Sequence, residues 1–103
     1  MKAGNNRFVR YVVLLSRIPG KSMTEEVIRA HVAFLKQLEQ SGQLVLCGPF
    51  ADYEGGMIVF RAESYEQAKA IAESDPFVTS GVEKYELRTW QLSCRENNHM
   101  GMG

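Results

Sequence analysis

Two stretches of the chain repeat their apolar residues at helical spacing, and each places one ionisable residue in the middle of its apolar arc. At about 100° per residue, Val27, Ile28, Phe34, Leu35 and Leu38 fall within an arc of about 120° with His31 at its middle. Glu26, Arg29, Lys36, Gln37 and Gln40 take the opposite side. In the second stretch Tyr65, Ala68, Ile71 and Ala72 share an arc of similar width, with Asp75 near its centre. A charge on a buried face is costly unless it finds a partner. The two patterns therefore predict that His31 and Asp75 pair.

Around these helices the pattern changes to strand. Residues 8–15 are β-branched and aromatic, and apolar in both alternation phases from Val12 onward, which predicts a strand covered on both faces. Pro19 and Gly20 punctuate the loop that follows. Ser22 with Glu25 offers a capping box and Thr24 a second candidate cap, so the first helix runs to about Gln40 and closes on Gly42. Residues 43–48 predict a second strand stopped at Gly48-Pro49. Residues 51–56 predict a turn and 57–62 a third strand in a hairpin with the second. Ser64 with Gln67 opens the second helix, which runs through Ser74 or Asp75 until Pro76 ends it. After a connector over 77–81, residues 82–92 alternate as a last strand, with Tyr85, Leu87 and Thr89 on one face and Arg88, Trp90 and Leu92 on the other.

The order βαββαβ with right-handed crossovers puts both helices on one face of a four-stranded antiparallel sheet, a ferredoxin-like α+β arrangement. His31 and Asp75 then point at the same sheet and can meet. The opposite face stays open although its strands are apolar there too, a patch too large for a monomer, so a homodimer packed sheet against sheet is expected. Residues 1–103 form one domain, with a core over 8–92 and a polar, Gly-rich, loosely ordered tail over 93–103.

Charge removes several function classes. Twelve basic residues balance twelve acidic ones and the isoelectric point is near 6.7, which leaves no footprint for nucleic acid or an anionic membrane. RNA-binding sheets share the strand order, but Met57 and Val59 in one phase and a lone Phe60 in the other offer no platform for stacking bases. No apolar run approaches the ~18 residues of a membrane span, and the start of the chain carries no signal-peptide apolar region. A cytoplasmic location is expected. Cys47 and Cys94 make neither a disulfide framework nor a CxxC site, and Cys47 reads as a small core residue of its strand. His31 and Asp75 supply two ligands where a metal site needs three or four, and His99 in the tail has no partner at ligand spacing. Neither a metal nor a cofactor is expected.

Several residues together carry a family resemblance: Arg29-Ala30-His31 with Phe34-Leu35, then Gly42 and Leu44, Gly48-Pro49, Gly55-Gly56, Asp75-Pro76-Phe77, and Gly81-Val82. On these motifs the chain resembles the YCII-related (YciI-like) family over about residues 8–92. These are small dimeric α+β-barrel proteins whose fold relatives include muconolactone isomerase. The resemblance implies a dimeric α+β barrel and a catalytic dyad at His31 and Asp75. It also implies a pocket position at Ser80, which some members fill with Ala. The segment from Ala51 to Glu54 is shorter than in some relatives.

An imidazole and a carboxylate together serve proton transfer. A carboxylate bonded to one ring nitrogen fixes the tautomer and frees the other nitrogen to take a proton. Ser80 lacks a nucleophile-elbow motif, so covalent catalysis fits less well. Arg17 and Lys21 in the loop before the first helix are candidates to anchor an anionic substrate, and Phe77 to wall the pocket. Gly55-Gly56 is a hairpin turn and not a phosphate cradle, because no helix start follows it. The expected function is a cofactor-independent enzyme of isomerase or lyase type acting on a small cyclic or aromatic acid. The alternative is a dimeric module that binds a small ligand without turning it over.

Overall fold

Residues 3–103 are described by a computed structural model. A 3-10 turn over Ala3–Phe8 leads into β1 (Val9–Arg17), α1 (Glu25–Gln40), β2 (Leu44–Pro49), β3 (Gly55–Phe60), α2 (Tyr65–Glu73), α3 (Pro76–Thr79) and β4 (Glu83–Gln91). The sheet is antiparallel with strand order β2-β3-β1-β4. The fold is the ferredoxin-like α+β arrangement that the pattern predicts.

Local chemistry sets the element boundaries. Thr24, and not Ser22, caps α1: its hydroxyl accepts from the Val27 N–H at 3.1 Å, while Glu25 and Glu26 in the first turn complement the helix dipole. Gly42 follows the helix at φ +81°, a left-handed position that only glycine takes without cost. Ser64 caps α2 through the Gln67 N–H. The connector expected after Pro76 is instead a further helical turn, α3. Proline is favoured at a first helical position because its missing N–H would have no partner there. Gly55 and Gly56 open β3 and do not form a free turn. A Cβ on Gly56 would stand 2.7 Å from the Gly48 carbonyl oxygen, and one on Gly55 would overlap the backbone of Leu15. Both positions need glycine because neighbouring backbone passes so close.

The core lies on one sheet face. Tyr11, Val13 and Leu15 of β1, Ile58 and Phe60 of β3, and Leu87 of β4 pack against Leu38, Ala68 and Ala72, with Phe34, Leu35, Ile71 and Phe77 around them. Across the sheet Val12 faces Val59 and Leu14 faces Met57, with Leu46 beside Val59 on the edge strand. Leu46 is 65% exposed and Trp90 49%. Cys47 departs from its expected core place: β2 is an edge strand, and the residue is exposed. The tail forms a 3-10 turn over Arg95–Asn97 and a turn over Asn98–Gly101 in which Asn98, His99 and Met100 have positive φ. Among the described residues, no helix is long and apolar enough to cross a membrane.

Candidate functional site

Asp75 ends up in the interior because of its neighbour. The ring of Pro76 disfavours the helical region for the residue before it, so Asp75 is extended at φ −63°, ψ 127° and caps α3. Its Oδ1 accepts from the Phe77 N–H at 2.9 Å. The same oxygen lies 2.8 Å from His31 Nδ1, bringing together the two residues that the helical arcs single out. An ionised carboxylate can only accept, and against one the imidazole donates from Nδ1 and keeps Nε2 for other work. The His31 side chain is 12% exposed and that of Asp75 1%. Asp75 Oδ2 is buried with no hydrogen-bond partner.

His31 opens onto a cleft of about 510 Å³ between α1, α3 and the β2–β3 side of the sheet, within the range of small-molecule sites. Leu15, Ile28, Val32, Leu35 and Ile58 give it apolar walls, and Tyr53 and Glu54 stand among its lining residues. The Phe77 ring lies flat on the imidazole, with 3.7 Å between centroids and 7° between planes. Arg17 reaches the cleft, its guanidinium steadied by an Nη2–H bond of 2.8 Å to the Lys21 carbonyl. Lys21 itself is exposed and contributes that backbone group and not its ammonium.

Ser80 is not brought to the cleft. It is the exposed C-cap of α3, with its backbone N–H turned back to the Pro76 carbonyl, because the extra helical turn carries it past the site. Cys47 lines the cleft. Desolvation pushes its thiol up and Glu39 adds to the push, the reverse of an activated nucleophile. Among the described residues, no three His, Cys, Asp or Glu side chains gather at metal-binding distance.

One residue escaped the sequence reading. Glu83, the first residue of β4, is 5% exposed and lines the same cleft as His31. Burial pushes its carboxyl up from the ordinary value; His31 pulls against that push, Asp75 adds to it, and Arg17 pulls against it. The signal was there in the strand period: Glu83 sits two residues before Tyr85 and four before Leu87, in the inward phase.

The model of the YCII-related domain matches residues 9–91. The chain belongs to this family. A relative, the uncharacterized protein YjpA of Bacillus subtilis, is 33% identical over 82 residues, covering 80% of this chain and 96% of that protein. Protein YciI of Escherichia coli is 35% identical over 63 residues, 52% of this chain and 64% of that protein. Among solved structures, the 5-chloro-2-hydroxyhydroquinone dehydrochlorinase of Burkholderia phenoliruptrix, in complex with 2,5-dihydroxybenzoquinone, has a TM-score of 0.68 at 22% identity. That match covers 80% of this chain and 93% of the other, and it shows the YCII-like fold.

Proposed function

We propose that this protein is a small-molecule enzyme of isomerase or lyase type, cofactor-independent and cytoplasmic, that moves a proton on a small cyclic or aromatic acid. One observation carries the reading: a histidine whose Nδ1 is held at 2.8 Å by a buried carboxylate, at the wall of an apolar cleft. His31 is the base and then the acid. Its Nε2 takes a proton from the substrate while Asp75 holds the tautomer and balances the imidazolium that forms. Such assistance is worth about 10²–10⁴ in rate. Asp75 lies behind the imidazole, not on the cleft wall, so the orienting role falls to it. Phe77 walls the pocket, and Arg17 supplies positive charge for the acid. The fold neighbour is in keeping with this class, being a dehydrochlorinase with a small quinone bound. Loss of hydrogen chloride from a ring is chemistry that a general base serves.

Two copies complete the protein in this reading, their open sheet faces packed together over Val12, Leu14, Leu46 and Met57. The binding-module reading has its own support, since Asp75 Oδ1 caps α3 and so has structural work regardless of chemistry.

Isotope exchange separates the two. In deuterated water, a panel of small cyclic acids and hydroxylated quinones is followed by proton NMR with the parent protein and with His31→Asn. Deuterium entering a ring position with the parent and not with the variant is the expected result. A panel compound that binds and never exchanges makes the protein a binding module, and exchange undiminished in His31→Asn removes the histidine from the mechanism.

A further inference from the structure

The cleft holds a second pair of ionisable groups that the His31–Asp75 reading does not use. Arg17 and Glu83 are directly opposite each other on β1 and β4, and both line the cleft. An Arg and a Glu at a cross-strand position would ordinarily pair, yet no ion pair joins these two. The Arg17 guanidinium is drawn instead to the Lys21 carbonyl. Arg17 Nε and Glu83 Oε1 are each buried without a hydrogen-bond partner. Buried polar atoms in that condition are uncommon in folded proteins. Here two of them border one small-molecule cleft, one a donor and the other on a carboxyl group that can accept or, when protonated, donate.

We propose that Glu83 enters the reaction as a carboxylic acid and protonates an oxygen of the substrate while His31 removes a proton from a ring carbon, with Arg17 holding negative charge beside that oxygen. The inference rests on the proton-transfer reading and names its second participant. The substrate class follows: a flat ring with an apolar body that presents a carbonyl or acidic oxygen to the β1–β4 side. The step balances. The C–H bond at the ring carbon breaks and its proton goes to His31 Nε2. Its electron pair forms a new C=C bond, the carbonyl π pair passes to oxygen, and that oxygen takes the proton of Glu83. The substrate is tautomerised without oxidation or reduction, and the reverse transfers or solvent restore both side chains.

The groups facing Glu83 agree with this role. Asp75, from the turn before α3, repels a charge on the carboxylate, whereas His31 on α1 and Arg17 on β1 favour one; burial outweighs them and favours the neutral acid. Glu83 as the acid and His31 as the base reach the same cleft from β4 and α1.

The test uses 2,5-dihydroxybenzoquinone as probe. Titration calorimetry in buffers of different ionisation heat counts protons taken up on binding. At pH values where Glu83 of the free protein is ionised, the parent should take up a proton on binding that Glu83→Gln does not, and Arg17→Met should bind at least about tenfold more weakly. In the unsubstituted protein, carbon NMR should show the Glu83 carboxyl of the complex still protonated at about pH 7. A carboxylate signal there, an uptake unchanged in Glu83→Gln, or no saturable binding to the parent each overturns the proposal. The dyad is judged separately by exchange with His31→Asn. Failure at Glu83 leaves that result standing, and loss of the dyad leaves the proton count standing.

Discussion

The imidazole of His31 and the ring of Phe77 lie parallel at 3.7 Å, and one oxygen of Asp75 reaches both residues. Asp75 Oδ1 lies within hydrogen-bond distance of His31 Nδ1 and accepts from the Phe77 backbone N–H, so the positions of the imidazole and of its stacking partner are set by one atom. Replacing Asp75 therefore disturbs two things. Asp75→Ala loses a helix cap, about 1 kcal/mol, and leaves a part-buried ring nitrogen unpaired, about 1–3 kcal/mol more. Asp75→Asn keeps an acceptor in place and should cost less stability. Proton exchange should fall about 10²-fold or more in both. Thermal unfolding alongside exchange rates checks the pair, and an Asn variant as fast as the parent would show that the carboxylate charge has no part in the chemistry.

Phe77→Leu isolates the stacking. The aromatic contact is worth about 0.5–1.5 kcal/mol, and the leucine cannot hold the imidazole plane. We expect a modest drop in melting temperature and a slower exchange rate, with the Asp75 cap of α3 retained. Line widths and chemical shifts of the His31 ring protons read the loosening directly. A ring as rigid in the variant as in the parent would assign Phe77 to wall packing alone.

How far the site could be read beforehand follows from what determines each residue. His31 was legible because helical phase is a property of the chain itself; the same phase pointed to Asp75, but α2 ends at Glu73, and it is Pro76 that holds Asp75 extended and turned inward. Glu83 carried an equally regular strand-period signal, but a carboxylate at the head of a strand reads as solvated until neighbouring elements are in place. Ser80 and Cys47 went the other way. The single turn of α3 carries Ser80 past the cleft, and the edge position of β2 leaves Cys47 outside the core. Both outcomes depend on how elements are placed, which local periodicity does not encode. The Gly55 and Gly56 pair was visible as a turn signal, whereas its cause, backbone passing within contact of both, belongs to the assembled sheet.

Glu83 should also govern how stability varies with pH. Burial pushes its carboxyl up in the folded protein, so the folded state binds that proton more tightly than the unfolded chain. The stabilisation is complete below the unfolded value of about 4.3 and is lost as pH rises through the higher folded value. Glu83→Gln removes this dependence. The melting temperature of the variant relative to the parent should therefore climb as pH rises above about 4.3, then level off beyond the folded value. Melting curves across that range decide it. A gap that stays constant with pH would mean Glu83 titrates alike in the folded and unfolded chain.

The open sheet face yields the last expectation. Val12, Leu14, Met57 and Leu46 line it, with Leu46 at 65% exposure and Trp90 at 49% on the same side. Stable interfaces bury about 1,200–2,000 Å² in total, with an apolar centre and a polar rim. Arg88 and Glu86, cross-strand from Val12 and Leu14, suit the rim. The parent should sediment as a dimer at about micromolar concentration, where associations of this size are populated. Leu14→Glu, which puts a charge at the centre of the face, should shift it to monomer while the helix-side core of Tyr11, Val13 and Phe60 keeps the fold. Circular dichroism confirms that the variant is folded. Sedimentation of the parent at monomer mass would mean the apolar face is solvated, and the two-copy part of the proposal would go with it.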